Sequence, residues 1–425
     1  MHCMSLSYAQ NPFAMNTGMA PAAGGIMPLK LLIRQAGVAG FLLLLGEPLR
    51  LVTTRQRAEG YDAVDGSAMI QIAYALVCFL YAVHYLASPQ NRGAARILFR
   101  NPVVFLLLYI LLCGISALWS PNPAYTAFMA FQCLAFLALV IAALSDVNRR
   151  CSAQDVIEWV ILWAVWTILW SVLVNMRAFY GWRFLLNPFG AGRLATGVFF
   201  FPALYLSKRR LFGWLIVAFA FGSGSRKNYW GILPGLLFGA WLGDRKSKVL
   251  AFVFAATLAI SVLLVGAEKV VQNTLFRGKE GIGWEYTTGR DRIWATAWEL
   301  CMQRPLLGYG FVAGERDMLM ETRGANVISV HNVFFSAFMG VGFLGPLLLF
   351  PFFLGACVPC LKRTVPPSWR FAFTATVLMV FVVSMTGPGL GGRVYGAWLA
   401  SVIVMTMIAI LCKTRVQELS AWVVR

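Results

Sequence analysis

Arginines recur where polar sequence interrupts the long apolar stretches of this chain. A planar guanidinium binds phosphate oxygens through paired hydrogen bonds, so several arginines at one membrane surface suit a phosphate or pyrophosphate ligand. The cations on the side of the membrane that the positive-inside rule disfavours are Arg177, Arg183, Arg193, Arg226, Lys227, Arg290, Arg292 and Arg393. A single arginine there could simply anchor a helix end by reaching the interface. The convergence of the whole group on one predicted face favours anion binding.

Arg290 stands in a segment that predicts the start of a helix. Thr288 and Asp291 resemble a capping box, and Pro305 would stop the helix after Arg304. A cation in the first turn opposes the helix macrodipole, and a bound anion at the same helix end would explain its presence. The apolar positions spaced i, i+3, i+4 and i+7 are Trp294, Ala297, Trp298 and Cys301. This face predicts an amphipathic helix that lies on the membrane or on the helix bundle.

His331 is the second residue whose type and place suit chemistry. It lies where a long polar segment returns to apolar sequence, in Ser329-Val-His-Asn-Val-Phe-Phe335. An imidazole titrates near neutral pH and could remove a proton from a sugar hydroxyl there. The alternative is a structural histidine that caps a helix or binds a loop carbonyl. Glu285 and Asp291 are the second choices for such a base.

Composition places these residues in a membrane protein. Of 425 residues, 59% are hydrophobic and 12% are charged, whereas a soluble domain is about 45–50% apolar. Apolar stretches of about 17–25 residues can span a bilayer. Such stretches cover residues 29–49, 67–87, 102–119, 124–145, 155–176, 192–207, 210–224, 228–243, 248–267, 331–359, 370–386 and 395–412. We therefore expect an all-α integral membrane protein with about twelve transmembrane helices and one large extracytoplasmic loop that contains the amphipathic helix.

Lysine and arginine set the predicted orientation. Alternate short loops are basic, and such loops stay in the cytoplasm. The basic residues of these six loops are Arg92, Arg96 and Arg100; Arg149 and Arg150; Lys208, Arg209 and Arg210; Arg245, Lys246 and Lys248; Lys362, Arg363 and Arg370; and Lys413 with Arg415. Both termini are then cytoplasmic. The predicted organisation is a disordered cytoplasmic leader at 1–26, transmembrane helices one to nine at 27–267, an extracytoplasmic catalytic loop at 268–330, transmembrane helices ten to twelve at 331–412, and a cytoplasmic tail at 413–425. A loop of this length usually carries function.

The sequence also disfavours several other kinds of protein. The net charge of +19 is spread over short loops instead of one soluble face, so we expect no nucleic-acid partner. Nine irregularly spaced cysteines predict neither a disulfide framework nor a zinc site. Cys357 and Cys360 form a CxxC pair that fits helix packing better than metal or redox chemistry. The sequence has no Asp-x-Asp pair, His-Glu-x-x-His motif or nucleotide-type glycine loop, and we expect no metal and no cofactor.

Three segments, in this order, resemble the O-antigen ligase and polysaccharide polymerase superfamily. They are Thr288-Gly-Arg-Asp-Arg-Ile-Trp294, Arg304-Pro-Leu-Leu-Gly-Tyr-Gly-Phe311, and His331-Asn-Val-Phe-Phe335 followed by Gly340-Val-Gly-Phe-Leu-Gly345. Ser223-Gly-Ser-Arg226 also looks like the serine-arginine turn of that family. The resemblance covers the long loop and the next helix, and elsewhere it includes only this turn and the number of spans.

The resemblance implies a metal-independent membrane glycosyltransferase. The family transfers a glycan from a polyprenyl pyrophosphate, on the periplasmic face of the bacterial inner membrane, to a lipid A-core sugar, to a second lipid-linked glycan or, in some members, to protein. By position, His331 matches the family's histidine and Arg290 its loop arginine, which would be the catalytic pair. Arg226 matches the serine-arginine turn, and Arg193 is a looser match. The resemblance implies that Arg226, Arg193 and Arg292 bind the pyrophosphate. The implied partners are this donor, the acceptor and membrane lipids.

Two other functions stay open from the sequence. A polymerase would use the same donor with a second lipid-linked glycan as acceptor, and we favour ligase-type transfer over it. A lipid-linked sugar transporter would carry ionisable residues at mid-membrane and broken helices from paired repeats. The predicted spans are nearly free of charge and show no convincing repeat, which disfavours transport.

Overall fold

The computed structural model of the protein describes residues 28–52, 66–100, 102–174, 197–222, 226–242, 245–266, 290–323, 329–362, 365–385, 387, 390 and 396–423. The regular elements in these residues are helices. In chain order they are α1 (Leu29–Gln35), α2 (Gly37–Val52), α3 (Gly66–Ala87), α4 (Arg92–Leu98), α5 (Val103–Ile115), α6 (Pro123–Arg150), α7 (Ala153–Val174), α8 (Gly197–Leu206), α9 (Arg210–Gly222), α10 (Arg226–Leu242), α11 (Arg245–Val265), α12 (Arg290–Gln303), α13 (Ala313–Arg323), α14 (Val333–Val341), α15 (Leu344–Leu361), α16 (Pro367–Met385) and α17 (Gly396–Val423). The predicted all-helical class is confirmed for the described residues.

Length and composition mark several of these helices as candidate membrane spans. Four described helices, α3, α6, α7 and α16, are long and apolar enough to cross a bilayer. The segment from α4 through α5 counts as a fifth if it forms one bent span. Shorter apolar helices of 10–17 residues lie in α2, α8, α9, α10, α15 and α17. The predicted membrane-protein class is thus supported, while the count of about twelve spans stays a prediction.

Helix α6 forms the buried centre of the bundle. It extends over 28 residues, and its side chains are buried almost continuously between Ala135 and Leu144. Asn122 caps the first turn, since its side-chain oxygen accepts the Tyr125 N–H at 3.0 Å. A helix that is apolar on every face needs neighbours on every side, and α2, α3, α5 and α7 pack around it. Helix α17 also contacts α6, so helices from near both ends of the chain meet at this one helix.

Two buried carboxylates, Asp146 and Glu158, bind residues of the basic turns at one end of the bundle. Asp146 of α6 is 2% exposed and pairs with Arg149 at 2.8 Å. Arg149 also donates to the Asn91 side chain at 2.8 Å, which joins this turn to the segment between α3 and α4. Just across the turn between α6 and α7, Glu158 accepts the backbone N–H of Lys208 at 2.6 Å. Three of the basic turns that the sequence assigns to one side of the membrane thus lie at the same end.

The long loop is held at the opposite end of α6. Trp119 donates its indole N–H to the carbonyl of Leu307 at 2.9 Å. The Thr126 hydroxyl donates to the carbonyl of Phe311 at 3.0 Å, and the Phe311 N–H donates to the buried Ser116 hydroxyl at 3.0 Å. Buried backbone groups need such partners because an unpaired one costs the full desolvation of that group. These bonds fix the segment after α12 on the turn between α5 and α6.

Glycine contacts dock this same segment on the start of the next apolar stretch. The Tyr309 N–H donates to the carbonyl of Met339 at 2.7 Å. Gly308 has a φ of +63°, and a Cβ there would lie 2.5 Å from the Met339 carbonyl oxygen. Gly342 has a φ of +71°, and a Cβ there would collide with the carbonyl of Leu306. Only glycine combines this backbone conformation with so close an approach.

The structure differs from the single span predicted at 331–359. Helix α14 ends at Val341 and α15 begins at Leu344, with Gly342 between them in the left-handed region. The Gly342 N–H still donates to the Phe338 carbonyl at 2.8 Å, so it closes the last turn of α14. Hydropathy predicted one continuous span because both helices are apolar. The glycine break instead admits the backbone of the long loop between them.

We expect Gly308→Ala and Gly342→Ala each to destabilise the protein by about 1–3 kcal/mol, because each new Cβ meets backbone and each positive φ disfavours an L-residue. Gly93→Ala is the matched control, since Gly93 lies inside α4 with open space at its Cβ position and alanine is the better helix former. Thermal melts of the purified protein should show a lower melting temperature for the first two variants alone. Equal melting temperatures for all three would contradict this docking.

Candidate functional site

The described part of the long loop begins with α12, whose first residue is Arg290. The helix ends at Gln303, one residue before the predicted end at Arg304, so the predicted helix is confirmed over this range. The expected cap, Thr288, lies outside the described residues. Arg290 therefore stands in the first turn, where the backbone N–H groups of a helix are available to an anion.

The predicted apolar face of α12 packs mainly on the bundle. Ala297 and Cys301 are buried in an apolar cluster that includes residues of α14. The rings of Trp294 and Phe335 lie 6.3 Å apart between their centroids. Trp298 is instead 52% exposed. Of the two surroundings expected for this face, the bundle takes the buried part, and the half-exposed Trp298 ring lies 6.4 Å from the Phe338 ring of α14 between their centroids.

A second loop helix, α13, completes the unit, and the sequence did not predict it. The Arg323 guanidinium at its end donates to the Thr296 hydroxyl at 2.7 Å and to the Arg292 carbonyl at 3.0 Å. Between the helices, the Tyr309 hydroxyl donates to the carbonyl of Leu300 at 3.1 Å. These bonds hold α12 and α13 together.

His331 lies in the histidine turn, residues 329–332, which leads from the loop into α14. Its φ is +55°, a left-handed conformation that costs a residue other than glycine about 1–2 kcal/mol. Asn332 caps α14, since its side-chain oxygen accepts the Phe334 N–H at 2.9 Å. The Asn332 amide also donates to the carbonyl of Met385, at the end of α16, at 3.1 Å. The helix cap thus belongs to Asn332, while the His331 side chain is half-buried beside it.

Helix α12 brings Arg290 towards the histidine turn. The Trp294 indole N–H donates to the carbonyl of Val330 at 2.9 Å, so this face of α12 contacts the residue before His331. Arg290 lies four residues before Trp294, on the same face and about 6 Å away along the axis. Burial lowers the pKa of the Arg290 guanidinium, which nevertheless stays charged at neutral pH. A cation at a helix end and an imidazole therefore lie in the same region.

Helix α10 begins at Arg226 and packs antiparallel to α16. A Cβ at Gly231 would collide with Met379, and one at Gly235 would lie 3.0 Å from the carbonyl of Ala375. These two contacts set the register between the helices. Continued towards the start of α10, the register places that start level with the end of α16, which binds the histidine turn. The backbone at Arg226 is therefore at the same level as the turn.

The other predicted site residues have separate positions. Arg193 and Glu285 lie outside the described residues, as does the side chain of Arg226. Asp291 and Arg292 are exposed. Helix positions one and two residues apart do not share a face, so these two project away from the face that carries Arg290.

Glu315 is a buried carboxylate at the histidine turn that no sequence motif indicates. It is 4% exposed, and its Oε1 atom accepts the Val330 N–H at 2.8 Å and the Ser336 hydroxyl at 3.0 Å. Burial raises the pKa of the Glu315 carboxyl above its usual range, and the hydrogen bonds oppose that rise. The sequence gives only a weak indication that Glu315 is functional, because its hydrogen-bond partners follow α13 and the segment after it.

No cluster of three or more histidine, cysteine or acidic side chains suited to a metal ion occurs in the part of the chain that the structure describes. Cys360 of the CxxC pair donates its thiol to the Ala356 carbonyl at 3.3 Å within α15. That bond is typical of a cysteine packed in a helix. The start of α12 and the histidine turn together offer two chemical functions, charge stabilisation by the Arg290 guanidinium and proton transfer by the His331 imidazole.

Comparison with known families matches the same part of the chain. Residues 211–350 match the family model described as O-antigen ligase. The matched range extends from α9 into α15, so it includes Arg226, α12, α13 and the histidine turn but not Arg193. No curated protein sequence matches the chain.

We expect Asn332→Ala to loosen both α14 and the end of α16, because it removes a helix cap and the bond between the two helices. The cap alone contributes about 0.5–2 kcal/mol. Hydrogen exchange should become faster at the start of α14 and at the carboxyl end of α16. Asn332→Ser keeps a capping hydroxyl that is too short to reach α16, so only α16 should exchange faster.

Asn122→Ala is the matched control, because Asn122 caps α6 in the same way but lies outside the histidine turn. It should leave exchange in α14 and α16 unchanged. Unchanged exchange in Asn332→Ala as well would show that the bond to Met385 does not hold the turn.

Proposed function

We propose that the protein transfers a glycan from a polyprenyl-pyrophosphate carrier to a sugar acceptor, on the premise that residues 211–350 match the family model described as O-antigen ligase. The observation that carries the proposal is the bond from Trp294 to Val330, which joins the helix of Arg290 to the turn of His331. A cation for the departing phosphate and a base for the attacking hydroxyl then act together. A lipid carrier also suits a protein with helices that can span a bilayer.

The donor half of the site holds the pyrophosphate. This group leaves as an anion, so it needs positive charge and not a proton. Arg290 supplies a guanidinium at the start of α12, where the helix dipole adds to the attraction. Arg226 supplies a second guanidinium at the start of α10, and Arg193 adds to the binding site. Arg292 projects from another face of α12, so it contributes its positive charge from outside the face that carries Arg290. Cations fixed in advance stabilise the charge of the transition state without having to reorganise.

The acceptor half of the site is His331. Its imidazole takes the proton of the acceptor hydroxyl while that oxygen forms a bond to the anomeric carbon. The bond from the anomeric carbon to the pyrophosphate oxygen breaks, and its electron pair leaves with the pyrophosphate. This direct displacement inverts the anomeric configuration. Glu285 and Asp291 are the alternative bases. The strained backbone of His331 supports a functional role, because such strain clusters at active sites.

The reaction takes place on the periplasmic face of the bacterial inner membrane, with both termini in the cytoplasm and with neither metal nor cofactor. The position of the loop supports this orientation, since it lies at the end of α6 opposite to the basic turns. The acceptor of the ligase reaction is a lipid A-core sugar. A polymerase reaction would use the same donor site and a second lipid-linked glycan, so the acceptor alone separates the two.

The test is glycan transfer by the purified protein in liposomes that contain a polyprenyl-pyrophosphate glycan and one acceptor, without metal or nucleotide. We expect His331→Ala to lower the turnover rate about 10²–10⁴-fold, as for the loss of a general base. We expect Arg290→Ala to lower it about 10²–10³-fold, as for the loss of one group that stabilises the transition state.

Matched controls remove the same kinds of side chain elsewhere. His84→Ala changes an exposed histidine of α3, and Arg210→Ala changes an exposed arginine at the start of α9. Both should transfer at the wild-type rate. Full transfer by His331→Ala and Arg290→Ala would overturn the site. Consumption of a second lipid-linked glycan would favour the polymerase, and movement of the donor between leaflets without transfer would favour a transporter.

A further inference from the structure

Glu315 lies in the first turn of α13 and is fully enclosed between this helix and the histidine turn. Its Oε1 atom accepts two hydrogen bonds, one from the Val330 N–H at 2.8 Å and one from the Ser336 hydroxyl of α14 at 3.0 Å. The negative end of the side chain therefore joins three segments of the chain. The start of a helix also favours an acidic residue, because it carries the positive end of the macrodipole.

A contact through Ser329 carries the influence of Glu315 to His331 itself. The Ser329 side chain lies close enough to the Glu315 carboxylate to lower the pKa of that carboxyl, and because a carboxylate can only accept, the hydroxyl is the donor in this contact. The Ser329 oxygen in turn accepts the backbone N–H of His331 at 3.2 Å. The N–H groups of Val330 and His331 are thus both held through Glu315, one directly and one through Ser329.

This support is needed because the native backbone at His331 is unfavourable. A φ of +55° persists in a histidine only when the surrounding structure holds it there. Without the two bonds, the backbone of His331 would relax towards an ordinary conformation and move the imidazole. A shift of about 1 Å in a reacting group can cost about 10²-fold in rate.

We propose that Glu315 is the positioning residue for His331 and fixes the left-handed backbone that aims the imidazole at the acceptor. The inference rests on the proposed function, since it assigns a purpose to the position of a base. Glu315 is not itself the base, because its carboxylate is buried and its donors are internal groups, so an acceptor sugar has no access to it.

The burial of Glu315 gives this role a distinctive energetic signature. Burial raises the pKa of its carboxyl, which means that the folded protein favours the neutral form more than the unfolded chain does. A neutral side chain of the same shape therefore relieves a desolvation cost at neutral pH. The melting temperature of Glu315→Gln should be equal to or higher than that of the wild type.

The first test compares three variants in the liposome transfer assay. Glu315→Ala and Ser329→Ala should lower kcat roughly tenfold to a hundredfold and leave KM for the donor unchanged, as expected for hydrogen bonds to a charged group. Glu315→Gln should retain a rate within about threefold of the wild type, because an amide oxygen can accept the same two bonds at Oε1. Glu321→Gln, an exposed acid on the same helix, is the control and should behave as the wild type.

The second test asks whether Glu315 acts through His331. Free imidazole should restore part of the activity of His331→Gly, because it can replace the missing base without the turn. In that rescued protein, the further change Glu315→Ala should have no effect on the rate. A rate as low in Glu315→Gln as in Glu315→Ala, or a further loss in the rescued protein, would overturn positioning in favour of a direct role for the carboxyl group.

Hydrogen exchange separates a failure of this inference from a failure of the proposed function. Exchange across residues 329–336 should be faster in Glu315→Ala and in Ser329→Ala than in the wild type, and unchanged in Glu315→Gln. This readout holds even if the wild type transfers no glycan, an outcome that would remove the proposed function alone. Unchanged exchange in both alanine variants would overturn the positioning role whatever the activity.

Discussion

Both backbone polar groups of one residue, Val330, are held by side chains from the two loop helices. Its N–H donates to Glu315 of α13, and its carbonyl accepts the indole N–H of Trp294 from α12. The next residue but one, Asn332, is bonded to the end of α16. Because His331 lies between these anchors, the loop and the membrane bundle together set its position, and neither would do so alone.

The loop can serve as one wall of a site because its own backbone is joined to the bundle. Gly308 and Gly342 let two backbones meet more closely than side chains would allow, and the break at Gly342 makes room for this contact. Trp119 and Ser116 complete the attachment from the turn before α6. Groups buried near a bilayer have little water to replace lost partners, so each of these bonds is costly to break. The glycine segments are therefore required for the geometry of the site, although they carry no reactive group.

Local signals account for what the sequence predicted. Pro305 disfavours helical backbone at the residue before it, and the apolar spacing around Ala297 needs no knowledge of the rest of the fold, so α12 was predicted to within one residue at its end. Hydropathy gave the all-helical membrane class in the same way. Hydropathy could not predict the break at Gly342, because the mean hydropathy of a segment does not depend on the backbone conformation of one glycine. The role of Glu315 could not be predicted, because its hydrogen-bond donors, Val330 and Ser336, lie 15 and 21 residues later in the chain. No spacing rule relates a buried acid to partners that only the folded loop brings near.

We propose that the starts of α10 and α12 and the histidine turn enclose a single lipid-linked pyrophosphate. A structure of the protein with a non-cleavable phosphonate analogue of the donor tests it most directly. We expect pyrophosphate oxygens within hydrogen-bonding distance of the Arg290 guanidinium, with the anomeric carbon turned towards His331. A pyrophosphate bound instead among the basic turns near Asp146, at the other end of α6, would contradict it.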